Sequence, residues 1–339
     1  MSSVPVTPAP RRRIWPYAAA AALGAAVLVI LALIWWWDAE PVPLDVRRTT
    51  EVRSAALHQN VVTGSTTTAT LIASVGTLLD KRGGYLSNDR LPPGVLMDNL
   101  PNWEFGALTA CRDLARALRN DFSRSQTQST EDVDLQEAEP LLSSPNDRWL
   151  LPSSESQYRK AIRHLEGYLV RLADNDHTNA QFYARADNLS DYLQLVSTRL
   201  GSLSQRLSAS VGQLRLDTNL AGDPNARQST PTPGASIVRT PWTQIDDVFY
   251  ESRGYTWALL AQLQAIEVDF DGVLRDKNAV VSLKQVIREL EEAQKTVSSP
   301  VILNGSPFGF FANHSLVMAN YVSRANASLL DLRKLLERG

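Results

Sequence analysis

Length, composition and charge place this chain among proteins that are long enough to bury a sizeable core. It has 339 residues, of which 34 are basic and 36 acidic, and its net charge is −2. A near-neutral chain without a basic stripe gives no reason to expect a nucleic-acid partner. The one cysteine, Cys111, excludes an intrachain disulfide. Its apolar neighbours predict a buried thiol, with an intermolecular bridge or a reactive thiol as the alternative.

An uncharged apolar run at residues 17–37 predicts a transmembrane helix. At helical rise the run extends roughly 30 Å, which is enough to cross the hydrocarbon core of a bilayer. A cleaved signal peptide is the alternative, but its apolar region is usually shorter and ends in small residues. This run ends in three tryptophans, so we favour a retained anchor.

The residues that flank the run predict its orientation. Three arginines precede it and acidic residues follow it, so the N-terminus is expected in the cytoplasm and the bulk of the chain in the periplasm of a bacterial inner membrane. Tryptophans flank the run at both expected headgroup layers. The predicted membrane anchor comprises Arg11, Arg12, Arg13, Trp15, Trp35, Trp36 and Trp37.

Shifts in composition divide the chain into segments. The predicted organisation is a cytoplasmic tail 1–16, a transmembrane helix 17–37, a stalk 38–52, a periplasmic helical region 53–216, a linker 217–240 and C-terminal helices 241–339. The stalk contains stiff prolines, and the linker is crowded with Pro, Gly, Ser and Thr. A tail this short disfavours a sensor that signals to an output module on the same chain.

Apolar residues after the stalk recur at alternating spacings of four and three, which is typical of packed helices. The clearest seam is Leu189, Leu193, Val196, Leu200, Leu203 and Leu207, and we expect its helix to continue through Leu214. Asn102 is expected to cap another helix. We predict a mainly α fold, in which an N-terminal transmembrane helix precedes an elongated antiparallel helical bundle. A homo-oligomeric coiled coil over 187–215 is the alternative use of the seam.

Motifs for known chemistry are missing from the sequence. It contains no paired metal-ligating histidines, G-x-S-x-G elbow, S-x-x-K motif or P-loop. The acid pairs at 131–139 fall in a polar segment, which does not provide the cleft that acid–base catalysis needs. The sequence therefore predicts no catalytic residue, no metal site and no cofactor.

Two segments nevertheless suggest binding. Residues 83–106 read as a loop but carry many apolar groups, which predicts an ordered loop packed on the bundle. Residues 121–134 are rich in Ser, Thr, Gln and Arg, and are expected to be either disordered or a source of donors for a polar ligand. The candidate binding residues are Tyr85, Arg90, Asp98, Trp103, Glu104, Arg124 and Gln126.

The same segments carry a resemblance to a known family. The stretches GGYLSNDRLPPGVLMDNLPNWEFG, DFSRSQTQSTED, LPSSESQYR, AQFYARADNL and RLGSLSQRLSAS resemble a family of single-span inner-membrane proteins of Proteobacteria, catalogued as a domain of unknown function. The resemblance implies a location and assigns no catalytic residues. It also makes simple disorder of 121–134 a weaker interpretation.

Two hypotheses follow for the function. The favoured one is a non-enzymatic envelope protein whose periplasmic bundle is a scaffold that binds an envelope protein partner near the membrane. The alternative is a periplasmic enzyme or carbohydrate-binding protein. A cleft that joins Arg90, Asp98, Trp103 and Glu104 to 121–134 would favour the alternative.

Overall fold

The computed structural model describes residues 15–125, 130–174, 176, 179–216 and 235–338. The predicted residues Arg11, Arg12, Arg13 and Gln126 lie outside these ranges. The helices are α1 (Trp15–Trp37), α2 (Val46–Ala56), α3 (Ser65–Asp80), α4 (Asn99–Ala117), α5 (Val133–Leu142), α6 (Ser154–Leu172), α7 (Ala186–Ser208), α8 (Ile245–Asp269), α9 (Asp271–Asp276), α10 (Val280–Ala293) and α11 (His314–Glu337). Strands β1 (Gln213–Leu216) and β2 (Ala235–Val238) form an antiparallel pair. The predicted mainly α fold is confirmed.

Helix α1 coincides with the predicted apolar run. It has 23 residues, none of them buried, and a mean hydropathy of 2.5 over its most apolar window. It is therefore long and apolar enough to span a membrane. Its last residues contact the rest of the chain, because Ile34 and Trp37 pack against the main core.

The long helices of the domain alternate in direction between two ends. We call the end at which Trp37 leaves α1 the proximal end and the opposite one the distal end. At the proximal end, the described parts of the connections between helices are residues 81–98, 143–153, 209–216, 235–244 and 294–313. At the distal end, they are residues 57–64, 123–125, 130–132, 173–174, 176, 179–185 and 270–279. Each long helix after α2 crosses the bundle once.

Side-chain contacts give the relative directions of the helices. Ser190 of α7 bonds to Glu337 of α11, whereas Ser204, further along α7, bonds to the carbonyl of Ala319. The two helices are therefore antiparallel, as the sequence predicts. The apolar seam of α7 is buried, and α11 covers it within the same chain. The seam is therefore packed within one chain, and it needs no second copy of the protein to cover it.

Helices α4 and α8 depart from the antiparallel rule. Asn102 at the start of α4 bonds to Asp247 at the start of α8, at 2.7 Å, and the rings of Phe122 and Phe270 meet at the other end with centroids 5.2 Å apart. The pair therefore runs parallel, which the long intervening chain permits. A Cβ atom on Gly106 of α4 would lie 1.9 Å from the carbonyl oxygen of Glu251, so the two backbones are in direct contact.

Three helical segments differ from the sequence predictions, and a fourth helix ends before its apolar spacing does. Helix α4 begins at Asn99, and its cap is Asp98 instead of the predicted Asn102. The helix can start this early because Pro101 is tolerated in a first helical turn. Helix α5 lies in a segment that reads as polar, because only one face of this short helix is apolar. Helix α7 ends at Ser208, and Leu214 is in a strand. Helix α10 ends at Ala293, although apolar spacing continues to residue 297.

The predicted stalk is packed against the bundle. Helix α2 begins at Val46, inside the segment 38–52, and Val46 is buried against Ala261 and Ala265 of α8. The indole Nε1 of Trp257 donates to the carbonyl of Val42 at 3.0 Å. The chain between the anchor and α3 therefore follows the surface of α8 towards the distal end.

Candidate functional site

The carboxylate of Glu104, one of the predicted binding residues, is completely buried and fully engaged. It accepts hydrogen bonds from the backbone N–H groups of Leu86 and Ser87, both at 2.8 Å, and its Oε1 lies 2.5 Å from the Nζ of Lys81. Burial raises the pKa of Glu104, and the charge of Lys81 acts in the opposite direction. The carboxylate thus holds the start of the 84–98 loop against α4 and faces no cleft.

Tyr85 and Trp103 are also core residues. The ring of Tyr85 meets that of Tyr158 edge to face, with centroids 5.6 Å apart, and Trp103 packs on Trp257 at 5.0 Å. Both predicted binding residues are at least 96% buried. Burial also raises the pKa of Tyr85. Aromatic pairs of this kind stabilise a core and leave no ring face for a ligand.

Arg90 and Asp98 lie on the surface of the proximal end. The guanidinium group of Arg90 donates to the carbonyl of Asp147 at 3.3 Å. The carboxylate of Asp98 accepts from the N–H of Asn99 at 3.0 Å, as a helix cap does. Both residues are exposed.

Arg124 lies at the other end of the bundle. It follows the π-helical turn (Leu118–Phe122) that extends α4, and its Nη1 is 3.9 Å from Oε1 of Glu131. At helical rise, the chain from Asp98 to Arg124 spans roughly 35 Å. The structure therefore does not bring Arg90 and Asp98 together with the described part of 121–134, and no cleft among the described residues joins the two sets.

A polar cleft does form at the distal end, and only Arg124 of its residues was singled out from the sequence. We call it the distal cleft; it is lined by Asn120, Asp121, Arg124, Ser125, Arg185, Asp187, Asn188 and Asp191. Partial burial and the nearby charge of Asp191 raise the pKa of Asp121 to about 6. Residues 120–125 continue α4, and 185–191 begin α7. The sequence signal for this site is that both of its walls fall in family-like stretches, DFSRSQTQSTED at 121–132 and AQFYARADNL at 180–189.

Ion pairs hold the chain beside the distal cleft in place. Arg171 of α6 bonds to Asp132 at 2.7 Å and to Asp134 at 2.6 Å. Arg119 bonds to Glu131 at 2.8 Å. Asp132 also caps α5. The described part of 130–134 is therefore fixed by its own charges, and the Arg171 fork fits the two carboxylates that it bridges.

Metal ligands and a reactive thiol are two kinds of group that could support catalysis in the described residues. No group of three or more His, Cys, Asp or Glu side chains in them could hold a metal ion. The thiol of Cys111 is buried as predicted, and burial raises its pKa to about 12. A thiol with so high a pKa is a poor nucleophile at neutral pH.

The joint between anchor and bundle is built from direct side-chain contacts, and sequence reasoning missed it. The ring of Trp37 covers Gly83, where a Cβ atom would lie 2.7 Å from the indole. Next along the chain, Glu40 pairs with the buried Arg253. The three other predicted anchor tryptophans, Trp15, Trp35 and Trp36, stay exposed, and the guanidinium group of Arg82 lies 6.0 Å from the ring centroid of Trp36. No sequence motif predicts these contacts, because the residues that form them are far apart in the sequence.

The comparisons with known proteins give one match. The family model described as an uncharacterized protein conserved in bacteria (DUF2333) matches residues 11–339. No curated protein and no solved structure matches the chain significantly.

Proposed function

Because the chain belongs to the DUF2333 family of uncharacterized bacterial proteins, which brings no assigned reaction with it, we propose a function from its own geometry. The chain is a single-pass inner-membrane protein with a cytoplasmic N-terminus. Its periplasmic bundle is a scaffold that presents the distal cleft to an envelope protein partner. The observation that carries this proposal is the rigid joint of Trp37, Glu40 and Arg253, since it fixes the height and tilt of the bundle over the membrane.

A rigid joint suits a scaffold better than a tethered catalyst. A flexible linker lets a domain search a volume, whereas a fixed one holds its far surface at one distance from the bilayer. Helices of 19 to 25 residues separate the two ends here. At about 1.5 Å per residue, the distal cleft stands roughly 30 Å beyond the proximal end.

The chemistry of the distal cleft suits a protein segment that carries a basic side chain. Burial raises the pKa of Asp121, and so does the nearby charge of Asp191, which repels the carboxylate of Asp121. A lysine or arginine placed between them would relieve that repulsion and restore the charged form of Asp121. Arg185 is already paired with Asp187 and donates to the carbonyl of Ser125 at 2.8 Å, which keeps the wall of the cleft in place.

Carbohydrate binding is the second candidate, because the cleft has amide, carboxylate and guanidinium groups that could bond to sugar hydroxyls. Sugar sites usually also offer an exposed aromatic face. In the distal connections no described Trp, Tyr or Phe is exposed. We therefore rank a protein partner first.

Photocrosslinking in living cells tests the proposal. A photoreactive amino acid at Asn120, which is exposed in the cleft and leaves both Asp121 and Asp191 in place, is compared with the same amino acid at exposed Glu51 on α2. We expect one recurrent protein adduct from position 120 that position 51 does not give, and its loss in an Asp121→Lys background. Glycan adducts would favour the second candidate, and identical adducts at both positions would contradict a specific cleft.

The topology has its own test. A phosphatase fused after residue 339 is active only outside the cytoplasm. We expect activity there, and no activity from the same enzyme fused before residue 11. An inactive C-terminal fusion would overturn both the orientation and the scaffold.

A further inference from the structure

Exposed aromatic side chains are confined to one end of the domain. Beyond α1, and apart from Phe105 in the second turn of α4, the exposed aromatic residues among those described all lie in the proximal connections. They are Trp149, Trp242, Phe308, Phe310 and Phe311. Phe308 and Phe310 are fully exposed, and Trp242 is 83% exposed. The contrast between the two ends shows that these rings are not the scattered apolar residues of an ordinary surface.

Aliphatic side chains extend this apolar surface in each proximal connection. Leu151 is 95% exposed, Leu91 is 77% exposed, and Ile237 in β2 is 76% exposed. We define the proximal patch as Leu91, Val95, Leu96, Trp149, Leu150, Leu151, Leu214, Ile237, Trp242, Phe308, Phe310 and Phe311. Residues from four different connections thus contribute to it.

Side-chain hydrogen bonds join these connections in pairs. The Asn88 side chain donates to the carbonyl of Arg148 at 2.9 Å, which links the 84–98 loop to the segment with Trp149. The Asn304 side chain donates to the carbonyl of Ser210 at 3.0 Å, which links the phenylalanine loop to the end of α7. The proximal patch therefore consists of two pairs of connections, and a hydrogen bond joins the members of each pair.

The proximal patch lies beside the exit of α1. Trp35, Trp36, Arg82 and the segment 296–300 line one groove, and the phenylalanine loop continues from that segment. Indole rings at the end of a transmembrane helix mark the headgroup layer. The surface around that point therefore faces the same layer.

We propose that the proximal patch inserts into the outer headgroup layer of the membrane that α1 spans, so that the domain rests on the bilayer. Apolar side chains gain free energy when they leave water for the acyl boundary, and tryptophan favours that depth. The same connections carry more exposed arginines than exposed aspartates, namely Arg82, Arg90, Arg148 and Arg239 compared with Asp98 and Asp147. These arginines would meet lipid phosphates. We assign lipid as the molecule that covers the patch, because α1 as a membrane anchor places this surface next to the bilayer.

This inference rests on the proposed anchoring by α1 but not on a protein partner. Its test uses the full-length protein in vesicles of phosphatidylethanolamine and phosphatidylglycerol. An environment-sensitive fluorophore is attached at Phe310→Cys or Leu151→Cys and challenged with lipids brominated on their acyl chains. Matched controls are Val281→Cys, 77% exposed at the start of α10 near the distal end, and Val27→Cys in the middle of α1. The buried Cys111 is left in place.

We expect brominated lipid to quench the label at position 310 or 151 at least twofold and to leave position 281 unquenched. Position 27 reports on the anchor itself. Quenching at 27 without quenching at 310 or 151 would overturn the resting surface while the anchoring stands. No quenching at 27 would overturn both. Protection of position 310 from aqueous iodide without quenching by brominated lipid would mean a protein occupant, and would also overturn the proposal.

Discussion

The guanidinium group of Arg253 donates two parallel hydrogen bonds to the carboxylate of Glu40, from Nε to Oε1 at 2.8 Å and from Nη2 to Oε2 at 2.6 Å. The residues are 213 positions apart. Arg253 also donates to the carbonyls of Ala293 and Lys295, so one buried side chain joins the anchor segment, α8 and the end of α10. Removal of the Glu40–Arg253 pair is therefore a direct test of the joint between α1 and the bundle.

Glu40→Ala is expected to destabilise the domain and loosen its joint with α1. Arg253 would keep its charge in a largely buried place with only two carbonyl partners, and the loss of a charged hydrogen-bonding partner costs about 1–3 kcal/mol. Urea unfolding in mild detergent, followed by circular dichroism, measures the free energy of unfolding. The matched control is Glu51→Ala on the surface of α2, for which we expect no measurable change. Equal effects of the two variants would contradict a specific joint.

Gly254→Ala is expected to destabilise the bundle strongly. Its Cβ atom would lie 1.8 Å from the carbonyl oxygen of Trp103, and a helix backbone cannot move aside as a flexible side chain can. Forcing α4 and α8 apart would cost at least about 2 kcal/mol in free energy of unfolding. Gly76→Ala is the control, because its Cβ atom would meet nothing within 4 Å in α3. That variant should be stabilised by up to about 1 kcal/mol, and a similar melting temperature for both would argue against the close crossing.

Asp121→Asn is expected to raise the stability at pH 7.5 and to have little effect at pH 4.5. The folded-state pKa of about 6 lies above the unfolded value of 3.8. The folded state therefore binds the proton more tightly, and stability from this group rises as the pH falls through 6. Asp121 is only partly buried, so after solvent screening the gain at pH 7.5 is roughly 1 kcal/mol. Denaturant unfolding at both pH values checks the sign, with exposed Asp276→Asn as the control. A gain that is larger at pH 4.5 would refute this assignment.

Cys111 is expected to resist alkylation in the native protein. Its thiol is completely buried, and a pKa of about 12 leaves almost no thiolate at pH 8. Iodoacetamide labelling followed by mass spectrometry should show modification only after unfolding in urea, and non-reducing electrophoresis should show no disulfide-linked dimer. Rapid native labelling would mean that α4 opens locally.

Local patterns predicted the elements whose apolar residues repeat. The uncharged run gives α1, and the seam from Leu189 to Leu207 gives α7, because burial of one face of a helix requires that spacing. Helix α5 was missed because Leu135, Ala138 and Leu142 are its only buried residues and Pro140 interrupts the pattern. The strand at Leu214 was missed since its partner strand lies beyond the linker.

The candidate site was harder to predict than the helices. Glu104 and Trp103 were predicted as possible binding residues, and the structure buries both of them completely. The carboxylate of Glu104 is explained by Lys81 and the N–H groups of Leu86 and Ser87, which no sequence pattern pairs with it. Asp191 could be found only in three dimensions, because it lies beside Asp121 across the contact between two helices.

The sequence by itself determined that the chain carries one apolar span followed by a helical bundle, because both follow from how far and how regularly apolar side chains repeat along a helix. Only the tertiary structure decided which helices meet, that α4 and α8 run in parallel with Gly106 against the backbone of Glu251, and that Glu40 fixes the anchor to Arg253. Those choices depend on packing and on charge pairing between residues distant in the chain, which local periodicity does not encode. The same long-range packing gathers the exposed rings, such as Phe310 and Trp242, at the end of the domain where α1 arrives.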